Sequence, residues 1–220
     1  YRRILRHQTP AGHRTHLHFE AVDYECTVYL NGAKIGSHKG SSDPFKFDIT
    51  DSLQAGENEL VVNVIDRTDP SQTLGKQSLK PKGIYYTRVS GIWQTVWLED
   101  VPERHFRMVK MKPRIAEGTL RVLPTLDGEP LETERVVITV RDGERVVGTA
   151  DAALSVQIPN AKLWSPQNPN LYDITMELFD GEKLVDRVES YAAMREVGTV
   201  RGPAGQIRMT LNGKVIFHYG

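Results

Sequence analysis

His13, His16 and His18 are the densest group of metal-capable side chains in the sequence. On a β-strand, His16 and His18 project from one face because side chains alternate with a period of two. Imidazole is a ligand for zinc, copper and nickel. No carboxylate at an evident spacing completes a set, so the three are read as ordinary exposed strand histidines with no metal. Trp93 and Trp97 also share a strand face, with Thr95 between them. Stacked indoles can form a platform for a sugar ring, but aromatics at such a spacing are expected to be buried in a core or interface. Cys26 alternates with Val22, Tyr24 and Val28 and is expected to be a small buried hydrophobe. Asp48 and Asp51 flank Ile49-Thr50 and are expected to cap a short turn before Leu53, not to act as a catalytic pair.

The elements that must position these groups are β-strands. Asn-Gly or Asp-Gly occurs at Asn31-Gly32, Asp127-Gly128, Asp142-Gly143, Asp180-Gly181 and Asn212-Gly213, the dipeptides that accept positive φ at both centres of a type I′ turn, and each predicts a hairpin. No window of 11 residues carries a helical period. Leu17, Phe19 and Ala21 share one face, but the apolar set then changes phase to Val22, Tyr24, Cys26, Val28 and Leu30, which requires a bulge or corner near Ala21 to Asp23. Strands are expected at 45–49, 58–65 and 92–99, with a long polar loop over residues 66–83 containing Pro70, Gly75, Pro81 and Gly83. Pro102 marks a boundary. Beyond it, seven strands are expected at 106–112, 119–124, 135–141, 144–150, 153–158, 172–179 and 183–193, the count of an immunoglobulin-like sandwich. With no cysteine pair, Trp164 is expected to plug that sandwich. The fold class is therefore all-β, and 220 residues suffice for two modest domains.

Composition narrows the partners. Lys plus Arg (28) balances Asp plus Glu (28), which removes the basic footprint that nucleic acid or an anionic membrane surface would need. No apolar run approaches the ~20 residues of a membrane helix. Cys26 is the only cysteine, so no internal disulfide exists and the redox compartment is left open. No signal peptide is present and the first residue is Tyr1, as expected of a processed or cut chain.

Five stretches, in this order and spacing, resemble glycoside hydrolase family 2: Phe19 to Gly36 (FEAVDYECTVYLNGAKIG), Asp43 to Thr50 (DPFKFDIT), Ala55 to Val62 (AGENELVV), Gly83 to Glu99 (GIYYTRVSGIWQTVWLE) and Leu163 to Tyr172 (LWSPQNPNLY). They are followed by Gly205 to Phe217 (GQIRMTLNGKVIF). The resemblance implies a jelly-roll sugar-binding domain over residues 1–101, trimmed at its N-terminus. An immunoglobulin-like β-sandwich follows over 102–197, then a linker and hairpin over 198–220 leading to a TIM barrel that this sequence does not contain. Members of that family cleave β-glycosides with retention, using two glutamates carried on the barrel, whose (β/α)₈ architecture takes ~250 residues. No catalytic residue, no metal and no organic cofactor is therefore expected in this chain.

In that family the loop corresponding to Asp66 to Ser90 reaches the substrate pocket, so Lys76, Gln77, Tyr85, Tyr86 and Arg88 are the expected contacts to a β-linked carbohydrate. Filling an interdomain interface is the alternative role for these residues. The position five before the small residue of Ser90-Gly91-Ile92 carries a sugar-contacting aspartate in β-galactosidase and β-glucuronidase branches; here it is Tyr85. The ending Phe217-His218-Tyr219-Gly220 also departs from the family's Leu-Arg-Gly-Val-Asn run. Asn58-Glu59 imitates the family's acid/base dipeptide but stands in a turn entering a strand, where a catalytic role is not expected. The expected function is a non-catalytic scaffold for a retaining β-glycosidase, such as a β-galactosidase. The alternative is a stand-alone carbohydrate-binding or protein-interaction sandwich, and an uncovered apolar patch would favour homo-oligomers.

Overall fold

The computed structural model describes residues 1–67 and 69–217; Thr68 and the departure at residues 218–220 lie outside the described residues. The chain divides into two compact units, Tyr1–Pro102 and Glu103–Gly220. No described helix is long and apolar enough to cross a membrane.

The first unit contains β1 (Arg2–Arg6), β2 (His13–Phe19), β3 (Val22–Asp23), β4 (Glu25–Leu30), β5 (Ala33–Lys39), β6 (Phe45–Asp48), β7 (Glu57–Ile65), β8 (Gln77–Ser78), β9 (Tyr86–Thr87), β10 (Gly91–Ile92) and β11 (Val96–Pro102). One sheet runs β1-β7-β4-β5 and another β11-β2-β6, with β10 pairing β3. The phase change read from the sequence is the corner at which the chain leaves the second sheet for the first. Leu17 and Phe19 face inward before it, and Val22, Cys26, Val28 and Leu30 after it, into one core with Ile49, Leu60 and Val62. Cys26 is buried and free, and burial pushes its thiol above the ordinary range. Asp48 Oδ1 accepts from the backbone nitrogen of Thr50 at 3.0 Å and its hydroxyl at 2.6 Å, bracing the one-turn 3₁₀ segment Thr50–Ser52. Asp51 makes no such cap and faces Arg14 at 3.4 Å.

One expected strand is broken. Residues 92–99 do not form one strand, because β10 ends at Ile92 and β11 starts at Val96. Trp93 and Trp97 therefore do not share a strand face, and neither is buried in this chain: Trp93 is 52% exposed and Trp97 38%. The Trp93 indole donates to Ser41 O at 2.7 Å, and Trp97 stacks on His18 with centroids 4.7 Å apart.

The second unit contains β12 (His105–Arg114), β13 (Thr119–Asp127), β14 (Glu134–Asp142), β15 (Arg145–Asp151), β16 (Ser155–Gln157), β17 (Tyr172–Asp180), β18 (Lys183–Ala192), β19 (Val197–Arg201), β20 (Ile207–Leu211) and β21 (Lys214–Val215). The sheets β12-β13-β16 and β15-β14-β17-β18 give the seven-strand immunoglobulin-like sandwich, with each strand where alternation placed it. β19-β20-β21 form a separate small sheet. The core is built on Leu120, Val122, Ile138, Val140, Ile174, Met176 and Leu178, with Phe106 and Tyr172 as its buried aromatics. Trp164 is not its plug. It is half-buried, with Arg195 over its ring at 4.9 Å.

Four of the five Gly dipeptides close hairpins. Asp127-Gly128 does not, because β13 and β14 belong to different sheets. Gly128 instead has φ +86, and a Cβ there would stand 2.0 Å from Glu103 O, so glycine serves a crossing between sheets.

Candidate functional site

The loop after β7 is rooted on a buried carboxylate. Gly91 of β10 pairs with Asp23 of β3, and Asp23 is 5% exposed. The Gln77 side chain donates to Asp23, and Gln77 Oε1 accepts the backbone nitrogen of Val89 at 2.7 Å. One amide thus ties the middle of the loop to its C-terminal end and to β3. Asp23 Oδ1 has no hydrogen-bond partner. Burial, with the nearby Asp66 carboxylate adding to it and Gln77 opposing it, holds the Asp23 carboxyl above its ordinary value. Asp66 itself accepts from Gln72 Nε2.

Above this root the expected contact residues divide into two groups. Gln77 lies opposite Tyr86 in the two-residue parallel pairing of β8 with β9, and the Tyr86 backbone nitrogen donates to Lys76 O at 3.0 Å. A Cβ at Gly75 would lie 3.3 Å from Tyr86 Oη, so the phenol lies over that glycine. Lys76, Gln77 and Tyr86 are therefore gathered together. Tyr85 is turned by a backbone bond to Lys82 O at 3.1 Å and, like Tyr86, is about half exposed; Arg88 is exposed further along. Ile84 and Val89 are also exposed. The arrangement offers an ammonium group, an amide and two phenols on a surface loop, a set that hydrogen-bonds and stacks against hydroxylated rings.

Sequence reasoning missed Asp23. It sits in the phase-change corner, where the pattern showed only the need for a bend. A polar residue at an otherwise apolar corner was the available signal.

Because the folded carboxyl binds its proton more tightly than the unfolded one, Asp23 contributes full stability below its unfolded value, near 3.8, and that contribution disappears as pH rises through the raised folded value. Asp23→Asn is therefore expected to gain stability relative to the parent from acid toward neutral pH. Thermal melting of both proteins across pH 4 to 8 measures this; a gap that shrinks toward neutrality would contradict the assignment.

Two β-sandwiches in series, with a polar aromatic loop on the first, make this a tandem β-sandwich protein. Residues 4–102 match the sequence model described as "Glycosyl hydrolases family 2, sugar binding domain", and residues 111–195 match "Glycosyl hydrolases family 2". The chain belongs to glycosyl hydrolase family 2. Among curated relatives, it is 31% identical to a beta-galactosidase of Leuconostoc mesenteroides, over 77% of this chain and 18% of that protein. It is 26% identical to a beta-galactosidase of Thermoanaerobacter pseudethanolicus, over 84% of this chain and 26% of the relative. Among solved structures, an FMN-binding beta-glucuronidase from Facaelibacterium prausnitzii L2-6 superposes with a TM-score of 0.79 at 25% identity, covering 97% of this chain and 34% of that one. A Ruminococcus gnavus beta-glucuronidase shares the fold at 22% identity with a TM-score of 0.81, over 100% of this chain and 39% of that one. The chain thus spans about a quarter or less of these two curated relatives' length.

Proposed function

We propose that these 220 residues are the non-catalytic scaffold of a retaining β-glycosidase, with the loop of residues 66–90 shaping one wall of its sugar pocket. The observation that carries this reading is the loop root: Asp23 and Gln77 fix a surface loop whose phenols and ammonium face outward, an anchoring that a mere connection does not require. Lys76, Gln77, Tyr85, Tyr86 and Arg88 contact the sugar, and Asp23 positions Gln77. The reacting carboxylates belong to the barrel of the longer protein, so binding energy from this wall is realised only when the barrel supplies the other. The relatives' names support a β-galactoside or a β-glucuronide as substrate. Val197, Ile207, Met209 and Phe217 are exposed apolar side chains suited to packing against the rest of such an enzyme.

The test is hydrolysis of a panel of chromogenic β-glycosides by the full-length gene product and by the 220-residue chain side by side. The full-length protein is expected to be active and the shorter chain inactive. In the full-length enzyme, Tyr85→Ala and Gln77→Ala are each expected to lower kcat/KM about tenfold, mostly through KM. Glycosidase activity of the short chain alone would overturn the reading.

A further inference from the structure

The outer face of the β11-β2-β6 sheet carries a side-chain group that neither the fold nor the loop explains. On β2, Thr15, Leu17 and Phe19 point inward and are buried, which sends His16 and His18 to the opposite face. The ladders then place Glu99 and Asp48 opposite His16, and Trp97 and Lys46 opposite His18. The carboxylate missing from the local sequence is thus supplied across the sheet by β11. One ligand atom each from His16, His18 and Glu99 all lie within 4.8 Å of one another.

Neither histidine is the exposed strand residue expected from the sequence. His16 is 6% exposed, and the His18 ring is clamped on Trp97 with an interplanar angle of 9°. His18 Nε2 stands 2.8 Å from Glu99 Oε2, yet off the line that a hydrogen bond needs, so that buried nitrogen has no hydrogen-bond partner. The Lys46 ammonium donates to His16 Nδ1 at 3.0 Å, placing a positive charge on a histidine lone pair. Asp48 Oδ2 is 3.9 Å from His16 Nε2 and is also engaged by Arg14.

We infer that His16, His18 and Glu99 form a binding site for a divalent transition-metal ion of the zinc class, bridging β2 and β11. Two imidazoles and one carboxylate are a zinc donor set, and ligand bonds of about 2.0–2.1 Å in tetrahedral geometry put ligand atoms roughly 3.3 Å apart, within reach by side-chain rotation. Water fills the fourth position. Lys46, on His16 Nδ1, acts as an internal competing cation. The site is separate from the loop of residues 66–90 and does not depend on its function.

The experiment is zinc titration of the chelator-stripped 220-residue chain, followed by calorimetry and by thermal melting with and without the metal. One equivalent is expected to bind at micromolar zinc and to raise Tm by several degrees, since a ligand of the native state stabilises it by mass action. Cobalt in place of zinc is expected to give the intense visible band of a four-coordinate ion. His18→Gln and Glu99→Gln are expected to weaken binding at least about tenfold, while Lys46→Met tightens it. Absence of binding by the parent chain overturns the site, as does unchanged affinity in all three variants, which would place the metal elsewhere. Should a ligand variant fail to fold in the absence of metal, the Lys46→Met arm decides: tighter binding supports the site and unchanged binding overturns it.

Discussion

Phe19→Ala is expected to remove about 3–5 kcal/mol from the first unit, the range for truncating a fully buried aromatic. Phe19 is 0% exposed, stacks on Phe45 with centroids 4.8 Å apart and meets Phe47 edge-on at 6.5 Å. Those rings come from the opposite strand of the ladder, with Phe19 paired directly to Phe45. Alanine therefore deletes the centre of an aromatic cluster and leaves a cavity that a sheet, held by its backbone bonds, cannot collapse to fill. A domain's whole stability is about 5–15 kcal/mol, so the variant should melt more than about 10 °C below the parent. Urea unfolding followed by tryptophan fluorescence measures it. A loss below about 1 kcal/mol would mean that Phe19 is not packed as described.

The second large effect concerns Asn58, half of the dipeptide that imitates a catalytic motif. Asn58 is fully buried, and its amide is a hub. Its Oδ1 accepts from Gln54 N and from Asn31 Nδ2, each at 2.8 Å, and its Nδ2 donates to Gln54 O at 2.9 Å. Asn31 in turn accepts Glu59 N at 3.0 Å, so two asparagines lock the β4–β5 turn to the start of β7. Asn58→Ala removes the partner of Gln54 N and of Gln54 O and leaves the Asn31 amide with Ser52 O alone, at a cost of about 2–4 kcal/mol. Asn58→Asp keeps the shape but sets a carboxylate oxygen against Gln54 O, and is expected to be nearly as damaging. Glu59→Gln touches only the exposed pair with Arg2 and should cost at most about 1 kcal/mol. In the full-length protein Glu59→Gln is expected to leave glycoside hydrolysis unchanged. Chemical denaturation of the three variants, with activity of the last, separates a structural asparagine from a catalytic glutamate; loss of turnover in Glu59→Gln with intact stability would reverse that assignment.

Where local chemistry decides the backbone, the strands could be read in advance. The seven strands of the second unit's sandwich follow from alternation and turn residues, because a strand with one buried face must repeat with period two. The corner after Phe19 was visible for the same reason, since an apolar set can change phase only where the chain bends. The separation of Trp93 from Trp97 is hidden in the sequence, because β-rich residues on both sides conceal the break between Ile92 and Val96. The crossing at Asp127-Gly128 is hidden too, because a turn dipeptide specifies local φ and ψ but not whether the strands it joins belong to one sheet.

The all-β class, the corner, the burial of Cys26 and the family follow from neighbours within a few residues or from ordered motifs. What stands across a sheet does not. Strand pairing joins residues roughly 80 positions apart, and no spacing rule announces that Glu99 will lie beside His16 and His18, or that Gln77 will reach back to Asp23. Register is set by the summed burial of whole strands, and it is register that turns scattered histidines and carboxylates into sites.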